Sequence, residues 1–330
     1  MSRLRVSFAL KANPRVRPLI EGTVQPEGIE FVTSVLTPAD VFWRQLRFAD
    51  FDVSEMSMSS LLIAHERGDD TWTALPVFPD RRFFHALTLV REGAGIERPE
   101  DLRGKRIAVP DYQQTAALWA RGALQHEFGV HPTELEWYME RTPEKSHGGA
   151  TGFTPPDGVR IHQIPPNRSQ YDMLVDGDVD ASLWYIRYPT MIDRSGARDF
   201  PPGTVRYLHD VEAEKARYFE KMQFIPFNHC YVIRTELLRR EPWVAINIFD
   251  AFVRSKMVEL DRAREALLPF GEAGLLPAGT AEVLQRDVFP YGVGANEAAL
   301  STLAQYSFEQ GLTSSLRDPI ELFAESVRDL

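Results

Sequence analysis

The 330 residues exceed what one compact core usually holds, and 44% of them are apolar, so two well-packed lobes are expected and extended disorder is disfavoured. A formal net charge of -10 argues against nucleic acid and acidic lipid surfaces as partners, and no run approaches the roughly eighteen apolar residues of a membrane span. An acidic chain that holds an acidic ligand must gather positive charge locally, which directs attention to particular arginines.

The N-terminal stretch Met1 to Leu10 interrupts its apolar patch with charge, and Lys11, Arg15 and Arg17 follow at once. It reads as a first strand rather than the apolar segment of a signal peptide. Cys230 is the single cysteine, which rules out an intramolecular disulfide and agrees with a reducing compartment. The expectation is therefore a cytoplasmic protein.

Alternation predicts strands over Arg3 to Ala9 and Ile29 to Val35, and Phe51 to Val53 as a third. A helix is expected over Pro38 to Phe48, with Thr37 as N-cap and a proline at its first position. Ser57 to His65 forms the next helix. Ala86 to Val90 reads as a strand at the crossing into a second lobe. There Pro99 to Leu102 starts a short helix, Arg106 to Val109 is a strand, and Thr115 to Phe128 is a helix stopped by Gly129. Such strand and helix alternation indicates a parallel sheet covered by helices. Residues 140–157 hold three prolines and three glycines and are expected as a long loop, either a lid over a cleft or a surface insertion. Ser169 to Asp176 is expected as helix and Val179 to Ile186 as strand. The return to the first lobe runs through Asn228 to Arg234. Helices follow over Pro242 to Leu260, Gly279 to Phe289, Asn296 to Gln310 and Ile320 to Val327. The chain divides into a discontinuous lobe of residues 1–93 and 232–330 and an inserted lobe of residues 94–231, with the C-terminal helices assigned to the first.

In open α/β sheets, ligands bind beyond the carboxyl ends of strands, where helix N-termini present free N–H groups and positive dipole ends. Two helix starts qualify. One carries Ser57, Ser59 and Ser60; the other follows Asp111 and carries Tyr112, Gln113 and Thr115, where Tyr112 and Gln113, and less readily Gln114, could contact hydroxyl groups. Facing each other across a cleft, they would grip an anion, although Ser57 and Thr115 read equally as plain N-caps. Arg81 and Arg82 precede the expected crossing strand, and one of them could hold a carboxylate with two parallel hydrogen bonds. Arg187 is a further candidate, and Asn228 lies at the start of the returning strand. His85 and His229 flank the two expected hinge strands and are the candidates for proton transfer. The other six histidines, His147 among them, are expected at the surface. Glu55 could bond a ring hydroxyl or orient a histidine. No metal-binding motif, phosphate loop or dinucleotide loop is visible, so no cofactor is expected, a divalent ion held by His85, His229 and Glu55 being the alternative because such ligands need not be close in sequence.

Several segments resemble the 4,5-dihydroxyphthalate decarboxylases. They are Phe51-Asp-Val-Ser-Glu-Met-Ser-Met-Ser-Ser60, Pro76-Val-Phe-Pro-Asp-Arg-Arg-Phe-Phe-His85, Asp111-Tyr-Gln-Gln-Thr-Ala-Ala-Leu-Trp119, Phe224-Ile-Pro-Phe-Asn-His229, Glu241-Pro-Trp-Val-Ala245 and Phe289-Pro-Tyr-Gly-Val293. Asp101-Leu-Arg-Gly-Lys-Arg106 is common to many solute-binding proteins and speaks only for fold. The resemblance implies the two-lobed α/β fold of type II periplasmic binding proteins, with a ligand cleft between the lobes. It also implies cofactor-independent loss of one carboxyl group from a hydroxylated aromatic ortho-dicarboxylate. A solute-binding protein of the same fold, holding an aromatic or other small anion without turnover, is the alternative. Self-association into a homo-oligomer is compatible with either.

Overall fold

A computed structural model describes residues 3–196, 198–277 and 279–330. Its strands are β1 (Leu4–Leu10), β2 (Ile29–Val35), β3 (Val53–Ser57), β4 (Trp72–Leu75), β5 (Leu89–Arg91), β6 (Arg106–Val109), β7 (Glu136–Met139), β8 (Arg160–Gln163), β9 (Ala181–Ser182), β10 (Val205–Tyr207) and β11 (His229–Arg234). Among the described residues they form two sheets, in the orders β2-β1-β3-β11-β4 and β10-β5-β9-β6-β7-β8. The chain thus passes between sheets twice, from β4 to β5 and from β10 to β11, so Leu89–Arg91 lies with the second sheet and the start of β11 at His229 with the first, which moves both crossings a few residues ahead of the expected boundaries at 93 and 231. In the first sheet β1 runs parallel to β2 and β3, whereas β11 is antiparallel to β3 and β4. In the second, β6, β7, β8 and β9 are parallel, and β5 is antiparallel to both β9 and β10.

Local rules account for the covering helices. The Thr37 side chain accepts from the Asp40 N–H at the start of helix Pro38–Phe48, which ends at Ala49 in the left-handed region (φ 49°). Helix Thr115–Phe128 stops where Gly129 takes φ 65°, a conformation that costs glycine little. The 29-residue helix Val244–Glu272 covers the first sheet: Phe252 packs 4.3 Å from the Tyr231 ring and edge-on to Phe8.

Helix Glu297–Glu309 does not belong to the first lobe alone. It touches helix Met58–Glu66, and it also packs on helix Thr115–Phe128, where Tyr306 meets Trp119 edge-on at 5.5 Å. Gln310 just beyond it receives the Arg121 guanidinium at 2.8 Å and donates to the Leu118 carbonyl at 3.1 Å. The terminal helix therefore ties the two lobes together behind the cleft.

Several expected elements differ. The strand expected over Phe51 to Val53 is Val53–Ser57, so Ser57 ends a strand rather than starting a helix, and the helix expected over Gly279 to Phe289 is Thr280–Gln285. Ala86 to Val90 is not one strand: His85–Leu87 is a 3-10 turn, closed by Thr88 donating its hydroxyl to the His85 carbonyl at 2.8 Å, and β5 begins at Leu89 inside the second sheet. Val179 to Ile186 contributes only Ala181–Ser182 to the ladder. Beyond it the Ser182 hydroxyl bends back to the Trp184 carbonyl. Ile320 to Val327 is two 3-10 turns, not an α-helix. Residues 140–157 include a short helix, His147–Thr151, capped by the Ser146 hydroxyl on the Gly149 N–H at 2.8 Å. This segment is fastened to the first lobe, with Trp43 Nε1 donating to the Glu144 carbonyl at 3.0 Å and Arg47 to that of Pro143.

Candidate active site

The C-terminal ends of β3, β6 and β7 and the start of β11 point toward the seam between the sheets. A narrow cleft lies there, about 490 Å³ when the open water at its mouth is counted. The first lobe lines it with Phe42, Ser57, Asp80, Arg82, Asn228 and His229. The second contributes Gln114, Thr115, Arg141, His147, Trp184 and Tyr188.

His229 opens β11 directly opposite Ser57, the last residue of β3. Its Nδ1 lies 3.2 Å from Oε2 of Glu55, two residues back along β3 and on the same face. Glu55 is 1% exposed, and its other oxygen accepts the Lys11 N–H at 2.7 Å. The Phe42 ring meets the imidazole edge-on at 4.5 Å. A buried carboxylate thus fixes one nitrogen and leaves Nε2 for the cleft, the arrangement in which histidine transfers protons.

The serine-rich helix start meets the second lobe through hydroxyls. Ser57 Oγ lies 2.9 Å from Thr115 Oγ1, which accepts the Ser59 N–H at 3.0 Å. Ser59 Oγ donates to the Gln113 carbonyl at 2.7 Å. Neither Ser57 nor Thr115 caps its own helix; Thr115 caps the helix of the opposite lobe. Ser60 and Gln113 stand behind this seam, where Gln113 Nε2 donates to Ser60 Oγ at 3.0 Å and its Oε1 accepts from Thr151 at 2.7 Å.

Residues 80 to 82 run extended beside residues 226 to 228: the Asn228 N–H bonds the Asp80 carbonyl at 3.2 Å, and the Arg82 N–H bonds that of Pro226 at 2.9 Å. Alternation along this run sends Asp80 and Arg82 into the cleft and Arg81 away from it. Arg81 instead binds the Ile225 and Pro290 carbonyls and Asn296. Arg82 Nε donates to Asp80 Oδ1 at 2.9 Å. Burial raises the Asp80 pKa, but the charges of His229 and Arg82 outweigh it and hold the carboxyl below its ordinary value.

Other sequence candidates are placed elsewhere. His85 is buried outside the cleft lining, its Nε2 2.8 Å from Oε1 of Glu214. Tyr112 lies in the second-lobe core, its ring 3.8 Å from the Arg121 guanidinium. Arg187 is exposed and reaches the Tyr207 hydroxyl at 3.3 Å.

The expectation of a surface His147 is corrected, since its ring is only 2% exposed. It bridges Ser60 Oγ and Arg141 Nη1, each at 3.1 Å. Burial, then the neighbouring Arg141 charge, push its pKa well below the ordinary value, so it stays neutral. Arg141 makes a double hydrogen bond to Asp193 at 2.7 and 2.9 Å. Asp80, Arg141, His147 and Tyr188 were not singled out by the sequence, and Gln114 only behind Tyr112 and Gln113 as a contact for hydroxyl groups. The Asp80-x-Arg82 alternation beside the returning strand was a usable signal for the first; Arg141 and His147 were hidden in a stretch whose composition says only loop.

Comparisons with known proteins bear on the family and the fold. A family model described as ABC transporter, phosphonate, periplasmic substrate-binding protein matches residues 15–151. The chain is 33% identical over 329 residues to a 4,5-dihydroxyphthalate decarboxylase of Comamonas testosteroni, covering 98% of this chain and 97% of that protein. It is 34% identical over 183 residues to a protein of the same name from Pseudomonas putida, covering 56% and 71%. The periplasmic aliphatic sulphonate binding protein SsuA from Escherichia coli superimposes with a TM-score of 0.54 at 14% identity, over 99% of both chains. At that identity the likeness speaks for the fold, which is that of periplasmic solute-binding proteins.

Proposed function

This chain belongs to the 4,5-dihydroxyphthalate decarboxylase family, and we propose that it is a carboxy-lyase converting 4,5-dihydroxyphthalate to protocatechuate and carbon dioxide, with His229 as proton donor. The observation that carries this reading is the buried Glu55···His229 pair opening on an interlobe cleft. Each carboxyl carbon of such a ring is para to a hydroxyl. Electrons pushed from that oxygen reach the carboxyl-bearing carbon, which takes a proton from His229 Nε2 and becomes tetrahedral. The bond to the carboxylate then breaks; its electron pair restores the aromatic ring and carbon dioxide leaves. The spent imidazole regains a proton from water.

The free guanidinium nitrogens of Arg82 and the helix start at Thr115 are the groups available to hold the retained carboxylate. Proton donation supplies typically ~10²–10⁴-fold, so positioning and fixed dipoles must supply the rest. Incubation with 4,5-dihydroxyphthalate, with product followed by chromatography, tests the reading. Protocatechuate is expected from the wild type and only traces from His229→Asn. Tight binding of the dicarboxylate without product would favour the alternative, a binding protein of this fold.

A further inference from the structure

Two carboxamides in the cleft carry buried atoms without hydrogen-bond partners: Oδ1 of Asn228 and Nε2 of Gln114. Both residues are 6% exposed and line the cleft. A buried polar atom left unpaired destabilises the fold, so such atoms in a ligand cleft mark places where a ligand completes the bonding. The two orphans differ in kind. Asn228 asks for a donor on the first-lobe wall, and Gln114 offers one on the second, beside the start of helix Thr115–Phe128.

Asp80 reinforces the first-lobe side. Its Oδ1 accepts from Arg82, while among the described residues its Oδ2 accepts no hydrogen bond. The backbone bond between Asn228 and Asp80 makes them neighbours on adjacent extended runs. One wall therefore presents two adjacent unfilled acceptors, Asp80 Oδ2 and Asn228 Oδ1. Two adjacent donors fit such a pair, and vicinal ring hydroxyls supply them. An anion's oxygens, by contrast, suit the N–H of Gln114 and the helix start.

We propose that Asp80 and Asn228 read the two neighbouring hydroxyls of the ring, with the carboxylate side turned toward Gln114 and Thr115. This rests on the decarboxylase reading for the identity of the ring, but not for the hydroxyl preference itself. A site built to bond a hydroxyl rejects an analogue that lacks it, because its own polar groups are then left unpaired. Aromatic acids without hydroxyls should thus bind poorly whatever their carboxylates do.

Calorimetric titration of the intact protein with protocatechuate and with benzoate tests this without turnover. The wild type should prefer protocatechuate by about tenfold or more, as expected for one or two unpaired acceptors. In Asn228→Ala the preference should largely vanish while benzoate binding is kept, which also certifies the fold; in Asp80→Asn the preference should fall as well, beyond whatever both acids lose together through Arg82. An unchanged preference in both variants, or equal weakening of both acids, overturns the proposal; equal weakening would make Asp80 merely a support for Arg82. Failure of the wild type to release carbon dioxide from 4,5-dihydroxyphthalate, with the preference intact, would sink the decarboxylase reading and leave the hydroxyl site standing.

Discussion

Thr115 of the second lobe places its hydroxyl 2.9 Å from that of Ser57 and accepts the Ser59 N–H of the first lobe at 3.0 Å. One side chain thus caps a helix across the interlobe seam. Thr115→Val keeps shape but leaves that N–H and the Ser57 hydroxyl short of a partner in a site almost closed to water. A loss of about 1–3 kcal/mol is expected from urea denaturation, with Thr115→Ser close to wild type. A valine variant of unchanged stability would show that water replaces the cap.

The Glu55···His229 pair makes separable kinetic predictions. His229→Asn removes the proton donor and should lower kcat by about 10²–10⁴-fold, with protocatechuate still binding as a competitive inhibitor. Glu55→Gln keeps the imidazole but replaces the charge that orients it, so kcat should fall by less. His85→Asn should leave turnover near wild type, since His85 bonds Glu214 outside the cleft. Loss of turnover in His85→Asn alone, with His229→Asn active, would reverse the assignment.

Much of the fold was legible because it follows short-range rules. Gly129 ends a helix, Thr37 starts one, and the short apolar run Ile107 to Val109 makes a buried strand. Where a side chain bends the main chain locally, pattern alone misleads, as at Thr88 and Ser182. The site was partly legible for a different reason. Glu55, Ser57, Asn228 and His229 cluster on paired strand ends, and the sequence marks those ends. Arg141 and His147 reach the cleft only because residues 140–157 fold onto helix Pro38–Phe48, a long-range packing with no periodic trace. Arg81 and Arg82 look alike in sequence, and only the pairing of their run with residues 226–228 decides which of them faces the ligand.

The contact of helix Thr115–Phe128 with helix Glu297–Glu309 depends on a missing side chain. A Cβ placed on Gly122 would come within 2.0 Å of the Tyr306 ring, closer than any real contact. Gly122→Ala should cost about 1–3 kcal/mol through overpacking, despite alanine's better helix propensity. Combining it with Tyr306→Leu should recover part of that loss, because the offending ring edge is removed. Thermal unfolding of the two single variants and the double variant checks this, and additive losses would contradict the close approach.

Glu214 gives a pH-dependent prediction away from the cleft. Burial raises its pKa, but the paired bonds from Arg217 at 2.7 Å and the bond to His85 at 2.8 Å outweigh it, bringing the carboxyl down from 4.5 to about 2. A group whose folded pKa is depressed stabilises the native state fully above its unfolded pKa, because between the two values the unfolded chain binds more protons. The contribution is therefore intact above pH 4.5 and fades as the pH falls toward about 2. Glu214→Gln abolishes this titration. Urea denaturation from neutral pH downward should show the wild type ahead at pH 7, with its lead shrinking below pH 4.5 as Glu214 takes up its proton in the unfolded chain. A lead that stays constant across that window would mean that Glu214 titrates alike in both states, and that its bonds to Arg217 and His85 do not hold its charge.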